Sequence, residues 1–318
     1  MRANAGMAAV IFMAILGPAV RGADLPDAAP AAPPAAAGSA AVNLYRPFRA
    51  GATYDVHLLF EEKLVLTAVV SGRVKDPTTK EQQGELTGRV TDIVSDATGA
   101  CQGFTLTVKH MLSKGHDAMR PGTALAVTIE NDVLHFSDVT KSPVPDNAKP
   151  LLGLLLTAYS ANAKKLDAAF GSSRPVPLDT EWKPSSAMVA AYLSNPQSVI
   201  VEPFNVDGTS KLLKAGDAAS GGARRLNVSI RCDGFSLPEA GRVVLVESSK
   251  GLNTISILLP DDPNAPIPDH DESFDGVNTY TTPTDRGKAT ATIHARRRAT
   301  VTVVMPAHAP AAEADSLP

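Results

Sequence analysis

The chain has 318 residues, 44% of them hydrophobic, and carries 30 basic against 33 acidic side chains for a net charge of −3. That balance disfavours nucleic acid and anionic membrane as partners, because both need a basic surface. Two cysteines are too few for a disulfide framework, and 5% aromatic residues with a single Trp argue against a carbohydrate-stacking surface.

The N-terminus reads as a secretory signal. Met1-Arg2 is a short basic start, and Met7 to Val20 is an apolar run broken near its end by Gly17-Pro18. The run is too short to cross a bilayer as a helix. Small residues place cleavage after Gly22 or Ala23, so residues 1–22 are the expected signal peptide and the mature chain is expected in the periplasm or outside the cell. No later segment has the length of a membrane span. Residues 23–41 form a Pro/Ala-rich linker, and residues 306–318 repeat its character as a tail.

Residues 42–145 read as strands. Tyr54, Val56, Leu58 and Phe60 alternate with polar neighbours, Leu64, Leu66, Ala68 and Val70 keep the same parity, and Phe104, Leu106 and Val108 repeat the pattern. Period-two alternation gives one dry and one wet face, as in an antiparallel sheet. Residues 146–195 differ. Leu152, Leu156, Tyr159, Ala163, Leu166 and Phe170 step at helical spacing, with Gly171 as a C-cap, and a second short helix is expected from Ser185 to Leu193.

Residues 196–305 look like a copy of the first β half. Gly208 aligns with Gly88, Leu226 with Leu106 and Val228 with Val108. Two hairpins are expected in corresponding places, one turning at Asn131-Asp132 and one at Lys250-Gly251. The last segment alternates from Ala289 to Met305 without a parity change, so one long strand is expected through Arg296-Arg297-Arg298, with Arg297 at a bulge or pointing inward.

The expected fold is therefore mainly β with a central α-helix (α+β). Two related antiparallel halves, half-barrel or sandwich-like, surround one amphipathic helix. Such curved sheets around a helix resemble the half-barrel lipoprotein carriers, a likeness of fold alone.

Chemistry-bearing motifs are missing: no Gly-x-Ser-x-Gly, His-Glu-x-x-His, Cys-x-x-Cys, phosphate loop or Gly-x-Gly-x-x-Gly occurs. No catalytic, cofactor-binding or metal residue is assigned, and no cofactor is expected. His110 and Cys232 continue apolar faces and read as core. Cys101 and Cys232 could pair in an oxidising compartment or stay as separate buried thiols. The acidic stretch Asp261 to Gly276 is the best calcium candidate, but it departs from the EF-hand pattern and its prolines suggest a solvated loop.

Residues 174–182 (RPVPLDTEW) resemble an uncharacterised family of exported bacterial β-rich proteins with a central Pro-Val-x-x-Gly-x-x-Trp segment. Pro175, Val176, Thr180 and Trp182 match, Asp179 stands at the Gly, and the resemblance extends to Gly208 and Leu212-Leu213. It implies export and a β-rich architecture, and no activity. The functional expectation is a non-enzymatic envelope protein that binds an apolar ligand or a protein partner. The alternative is a secreted scaffolding domain, and a hydrolase with an unrecognised site stands third.

Overall fold

The structure, a computed structural model, describes residues 40–305 except 71, 98, 131–132, 140–142, 150–151, 153–160, 195–200, 215–222, 235–244, 263–264 and 285–286. The expected signal peptide, nearly all of the linker and the tail lie outside the described residues. In chain order the strands of the first half are β1 (Ala40–Val42), β2 (Tyr54–Val70), β3 (Arg73–Val74), β4 (Thr78–Ser95), β5 (Cys101–Ser113), β6 (His116–Asp117), β7 (Ala124–Glu130) and β8 (Val133–Asp138). Helix α1 (Ala161–Phe170), β9 (Ser172–Val176), β10 (Glu181–Trp182) and helix α2 (Ser186–Leu193) follow. The chain then forms β11 (Val206–Lys214), β12 (Arg224–Cys232), β13 (Leu245–Leu259), β14 (Asp269–Thr284) and β15 (Gly287–Val304).

Thirteen of these strands form one antiparallel sheet in the order β10-β11-β12-β13-β14-β15-β2-β4-β5-β7-β8, with β3 beside β2 and β6 beside β5. The last strand lies against the first long one: β15 pairs with β2 from Ala289–Val70 to Val304–Asp55 without a register shift. Strands β1 and β9 form a separate two-stranded ribbon.

Alternation gives the sheet one inner, apolar face, and that face holds two filled clusters. The first gathers Tyr54, Leu58, Leu86, Leu106 and Leu125 around Phe48, Ala148 and Leu152. Phe48 stacks on Tyr54 at 4.7 Å between ring centroids and meets the edge of Phe104 at 5.5 Å. The second packs Leu212, Leu226, Ile230 and Ile257 against Leu44 and both helices, through Leu166, Phe170, Val189 and Ala190. Each fully buried Leu or Phe contributes about 1.5–3 kcal/mol, so these clusters carry most of the stabilisation. The chain entering at Leu44 is tied down twice: its N–H donates to Asp167, and the buried Arg46 guanidinium donates to the carbonyls of Pro260, Asp262 and Ala265.

The expected α+β fold around one amphipathic helix is corrected. The protein is mostly strand, and the two α-helices among the described residues span ten and eight residues. The expected helical stripe is divided: Leu152 belongs to the first cluster, and Leu166 and Phe170 belong to the second. Leu156 and Tyr159 lie outside the described residues. The two halves also share one thirteen-stranded sheet, because strands β15 and β2 pair.

Two local expectations change for physical reasons. Lys250-Gly251 is not a turn: β13 runs through it, with Lys250 opposite Val277 and Gly251 opposite Gly276. Both glycines are roofed by the Phe274 ring, whose Cε2 lies 2.7 Å from where a Gly251 Cβ would stand. They are glycines because an aromatic ring fills their side-chain space, which turn chemistry alone cannot reveal. His110 is turned off the apolar face. Thr87 pairs with His110 and Gly88 with Val108, so Lys109 is an inserted residue and Met111 takes the buried position.

Asp179, where the resembled family has Gly, adopts φ +60°, a left-handed conformation that favours glycine. Its N–H donates to Leu212 O at 2.7 Å and closes the β11 edge. Asp179→Val should cost about 1–2 kcal/mol, whereas Asp179→Gly should stay within about 0.5 kcal/mol of the native chain in denaturant titration. Gly276→Ala should cost about 1–3 kcal/mol by clashing with the Phe274 ring. Removing the ring with Phe274→Ala in the same chain should make the two losses clearly less than additive in a double-mutant cycle.

Candidate functional site

The five central strands, β13, β14, β15, β2 and β4, have 15 to 18 residues each, and their inner-face side chains fall into transverse rows set by the register. One row runs Asn253, Phe274, Arg297, Glu62 and Gln82 across β13, β14, β15, β2 and β4. The row beside it, toward the filled clusters, runs Ile255, Glu272, Ala299, Phe60 and Gly84. Together they place a polar belt across an otherwise apolar face.

The belt is buried and bonded. Glu272, only 7% exposed, accepts a hydrogen bond from Asn253 Nδ2 at 2.9 Å and one from Tyr192 Oη at 3.3 Å. Tyr192 is on α2, so this contact fastens the helix to the sheet, and Phe170 meets its ring edge-on at 5.4 Å. His270 Nε2 lies 3.9 Å from Glu272 Oε2, and burial lowers the pKa of the imidazole, which favours its neutral form. Asn253 Oδ1 has no hydrogen-bond partner among the described residues.

Glu62 faces the same side. Burial pushes its carboxyl up to about 7, although the charges of Arg297 and Lys80 pull it back. The two outer arginines of the triplet behave differently from the middle one. Arg296 bonds Asp275 at 2.9 Å and Arg298 bonds Asp271 at 3.0 Å, both on the solvent face. Arg297 points inward, and among the described residues no carboxylate closes on it as an ion pair.

Beyond the belt, the inner face of β15 continues with Ala295, Ile293, Ala291 and Ala289. Leu64, Leu66 and Ala68 of β2 flank this run on one side, and Asn278 and Tyr280 of β14 flank it on the other. Leu64, Tyr280 and Ile293 form a third small cluster, 7%, 4% and 8% exposed. Ala289, Ala291 and Ala295, like Leu66 and Ala68, are more open than Leu64 and Tyr280. They leave a part-open apolar strip along β15, the slot, which the buried Ile293 interrupts. Its floor spans about 20 Å at ~3.4 Å per residue.

Most of the residues singled out from sequence find structural roles. The acidic stretch is a strand from Asp269 onward. Asp269, Asp271 and Asp275 face Arg225, Arg298 and Arg296, and His294 Nε2 also lies 2.7 Å from Asp275. Among the described residues no group of His, Cys, Asp and Glu is placed to hold a metal ion. Both cysteines are free thiols: Cys101 is buried, and Cys232 packs beside the second cluster. Trp182 packs against that cluster as well. A groove of 470 Å³ is lined by Lys63, Leu252, Arg296 and Arg298, and also by Glu62, Phe274 and Arg297; of these, Lys63, Arg296 and Arg298 are engaged in ion pairs. The slot and its belt went unnoticed in the sequence, apart from the inward Arg297.

No family model and no curated protein matches the chain. Among solved structures, it is similar to one described as lipid–protein interactions in lipovitellin, at 9% identity and a TM-score of 0.34, over 81% of this chain and 26% of that one. It is also similar to Pseudomonas aeruginosa OpdQ, at 7% identity and a TM-score of 0.21, over 79% of this chain and 98% of that one. A mutant Rh. blastica porin gives 10% identity and a TM-score of 0.17, over 78% of this chain and 100% of that one. These likenesses are too slight to assign a fold family. No helix among the described residues is long and apolar enough to cross a membrane.

The Glu62 carboxyl has a pH consequence. Its folded-state value lies above the ordinary 4.5, so the protonated form is the one the fold favours. That contribution is complete below about pH 4.5 and is lost as the pH rises through about 7. Glu62→Gln should therefore raise the melting temperature by a few degrees at pH 8, and the gain should shrink toward zero near pH 4.5. A gain of equal size at both pH values in thermal scans would contradict this origin.

Proposed function

We propose that the protein is a non-enzymatic binding protein of the cell envelope that takes an apolar ligand in the slot along β15. The N-terminal signal character supports export to the periplasm or beyond. The observation that carries the binding reading is the contrast along the slot. Ala289, Ala291 and Ala295, which could have been large apolar residues, are part-exposed on the inner face beside the buried Leu64 and Tyr280, with Ile293 of the same strand packed among them. An apolar face built to be filled by its own chain would place large side chains there, as the two clusters do. A concave, mainly apolar site with a few polar groups at one end is the common form of a small-molecule site.

The scaffold reading has less support. The most exposed large apolar residues, Phe204 at 83%, Val74 at 71% and Val94 at 60%, sit on separate elements. Single exposed apolar residues do not make an interaction patch.

Native mass spectrometry of the protein purified from its own envelope should show a bound lipid-like mass. Ala291→Phe and Ala295→Phe, which fill the floor, should lose that mass while the melting temperature stays within a few degrees of the native value. Retention of the ligand by both stable variants would remove the slot from consideration.

A further inference from the structure

The thirteen-stranded sheet has two ends, and they are finished differently. At the β11 end the outer backbone groups are covered. Asp179 N–H donates to Leu212 O at 2.7 Å, β10 pairs with Ser210 and Lys211, and Ser186 Oγ donates to Val206 O at 3.4 Å. Pro184 lies over Gly208, its Cγ 3.3 Å from where a Cβ would stand. The outermost strand there, β10, has two residues and is followed by Lys183 and Pro184. Short strands, lysine and proline are the usual means of keeping a sheet edge from pairing with another chain.

At the other end, β8 has β7 on one side and no strand on the other. Its six residues, Val133 to Asp138, include no lysine or proline, and its ladder with β7 has no bulge. The hydrogen bond from Val139 N–H to Ala124 O fixes which residues face outward. Antiparallel ladders alternate, so Thr128–His135 and Ala126–Ser137 exchange hydrogen bonds within the sheet. Leu134 and Phe136 therefore turn their N–H and C=O groups to the open side. Among the described residues no backbone hydrogen bond reaches those groups. His135 and Ser137 are exposed, and Phe136 is half-buried against the first cluster.

Two segments of the same chain compete for this edge. The linker joins at Ala40, in the β1–β9 ribbon beside the second cluster, at the far end of the sheet. The tail leaves β15 at Val304, on the transverse row that runs through Asp55, Arg89, Thr107 and Ala124 to Val139. That is five strand spacings, or about 24 Å, away. The tail is long enough to reach, but Pro306 and Pro310 have no N–H to give, and Glu313 and Asp315 would bring like charge to Asp138. A second copy of β8 meets neither obstacle.

We propose that the protein forms a closed dimer in which β8 pairs antiparallel with β8 of a second copy, so that one sheet runs through both. Leu134 of each copy meets Phe136 of the other, about a twofold axis at His135. Because the β11 end is covered, association stops at two. One pair of six-residue strands buries less than the ~1,200 Å² of a standard interface, so the dimer is weak, with a dissociation constant of roughly micromolar order.

Sedimentation velocity of the purified mature protein over roughly 1–200 μM should show monomer and dimer in exchange and nothing larger. Leu134→Pro removes the outward donor of each copy and no hydrogen bond within the sheet, so it should weaken the dimer about tenfold or more. His135→Cys places a thiol on the axis, its Cα about 4.5 Å from that of its copy, and should cross-link the dimer under mild oxidation. The native chain, with Cys101 and Cys232 alone, should not cross-link. Should Leu134→Pro fail to fold, the cross-link decides. A native chain that stays monomeric throughout would overturn the dimer, and one that dimerises only after removal of residues 306–318 would assign the edge to the tail instead. An undiminished dimer in folded Leu134→Pro, or no cross-link in His135→Cys, would remove β8 as the interface. Growth beyond two copies would overturn the closed twofold.

Discussion

The architecture depends on the pairing of β15 with β2. These strands lie at opposite ends of the folded chain, and their ladder runs from Ala289–Val70 to Val304–Asp55 without a bulge. Without it, two meanders would each expose a long edge, which is a hazard in water. With it, the sheet becomes one surface and the inner faces of both meanders become continuous. The same ladder sets Arg297 opposite Glu62 and Ala295 opposite Leu64, so the polar belt and the slot exist only because this register is fixed. Closing so large a loop has an entropic cost that grows slowly with length, and a long regular ladder can meet it.

The solvent face explains how that register is held. Asp55 lies 2.9 Å from Arg89 and 2.7 Å from Lys109, and these partners draw its pKa down to about 2. Lys63 with Glu81, Asp271 with Arg298, and Asp275 with Arg296 and His294 extend the pattern along the central strands. Each exposed pair contributes little to stability. Their collective effect is specification: a slip of one residue would bring Arg297 to the solvent face and drive Arg296 and Arg298 into the dry interior. The arrangement is also the inverse of a membrane-spanning barrel, which presents apolar residues outward.

Local alternation was legible in the sequence. It predicted the buried set Tyr54, Val56, Leu58 and Phe60 and the unbroken last strand, and it left Arg297 either at a bulge or pointing inward. What escaped depended on neighbours distant in sequence. The acidic stretch and the arginine triplet look like separate puzzles until β14 and β15 are adjacent, when each neutralises the other. Lys250-Gly251 has the composition of a turn, but Phe274 supplies the reason for its glycine. His110 follows the alternation until an unpredicted bulge reverses it. The helical stripe was real as a pattern, yet its residues are shared between two clusters. The slot was least legible because its signal is smallness: Ala289, Ala291 and Ala295 read as an unremarkable strand until the walls beside them are known.

The slot also follows from a mismatch of lengths. A helix of ten residues is about 15 Å long and one of eight about 12 Å, at ~1.5 Å per residue. Strands of 16 to 18 residues reach roughly 55–60 Å at ~3.4 Å per residue. The described helices therefore cannot cover the central strands from end to end, and they sit with the second cluster only. Where their cover stops, the face must become polar, fill itself or remain available. Across β13 and β14 it fills itself, with Phe274 lying over two glycines. At Glu272 and Asn253 it becomes polar, and those groups bond each other and the helix. Along β15 it fills itself in part: Ile293 takes its place beside Leu64 and Tyr280, while Ala289, Ala291 and Ala295 leave the face part-open on either side of it.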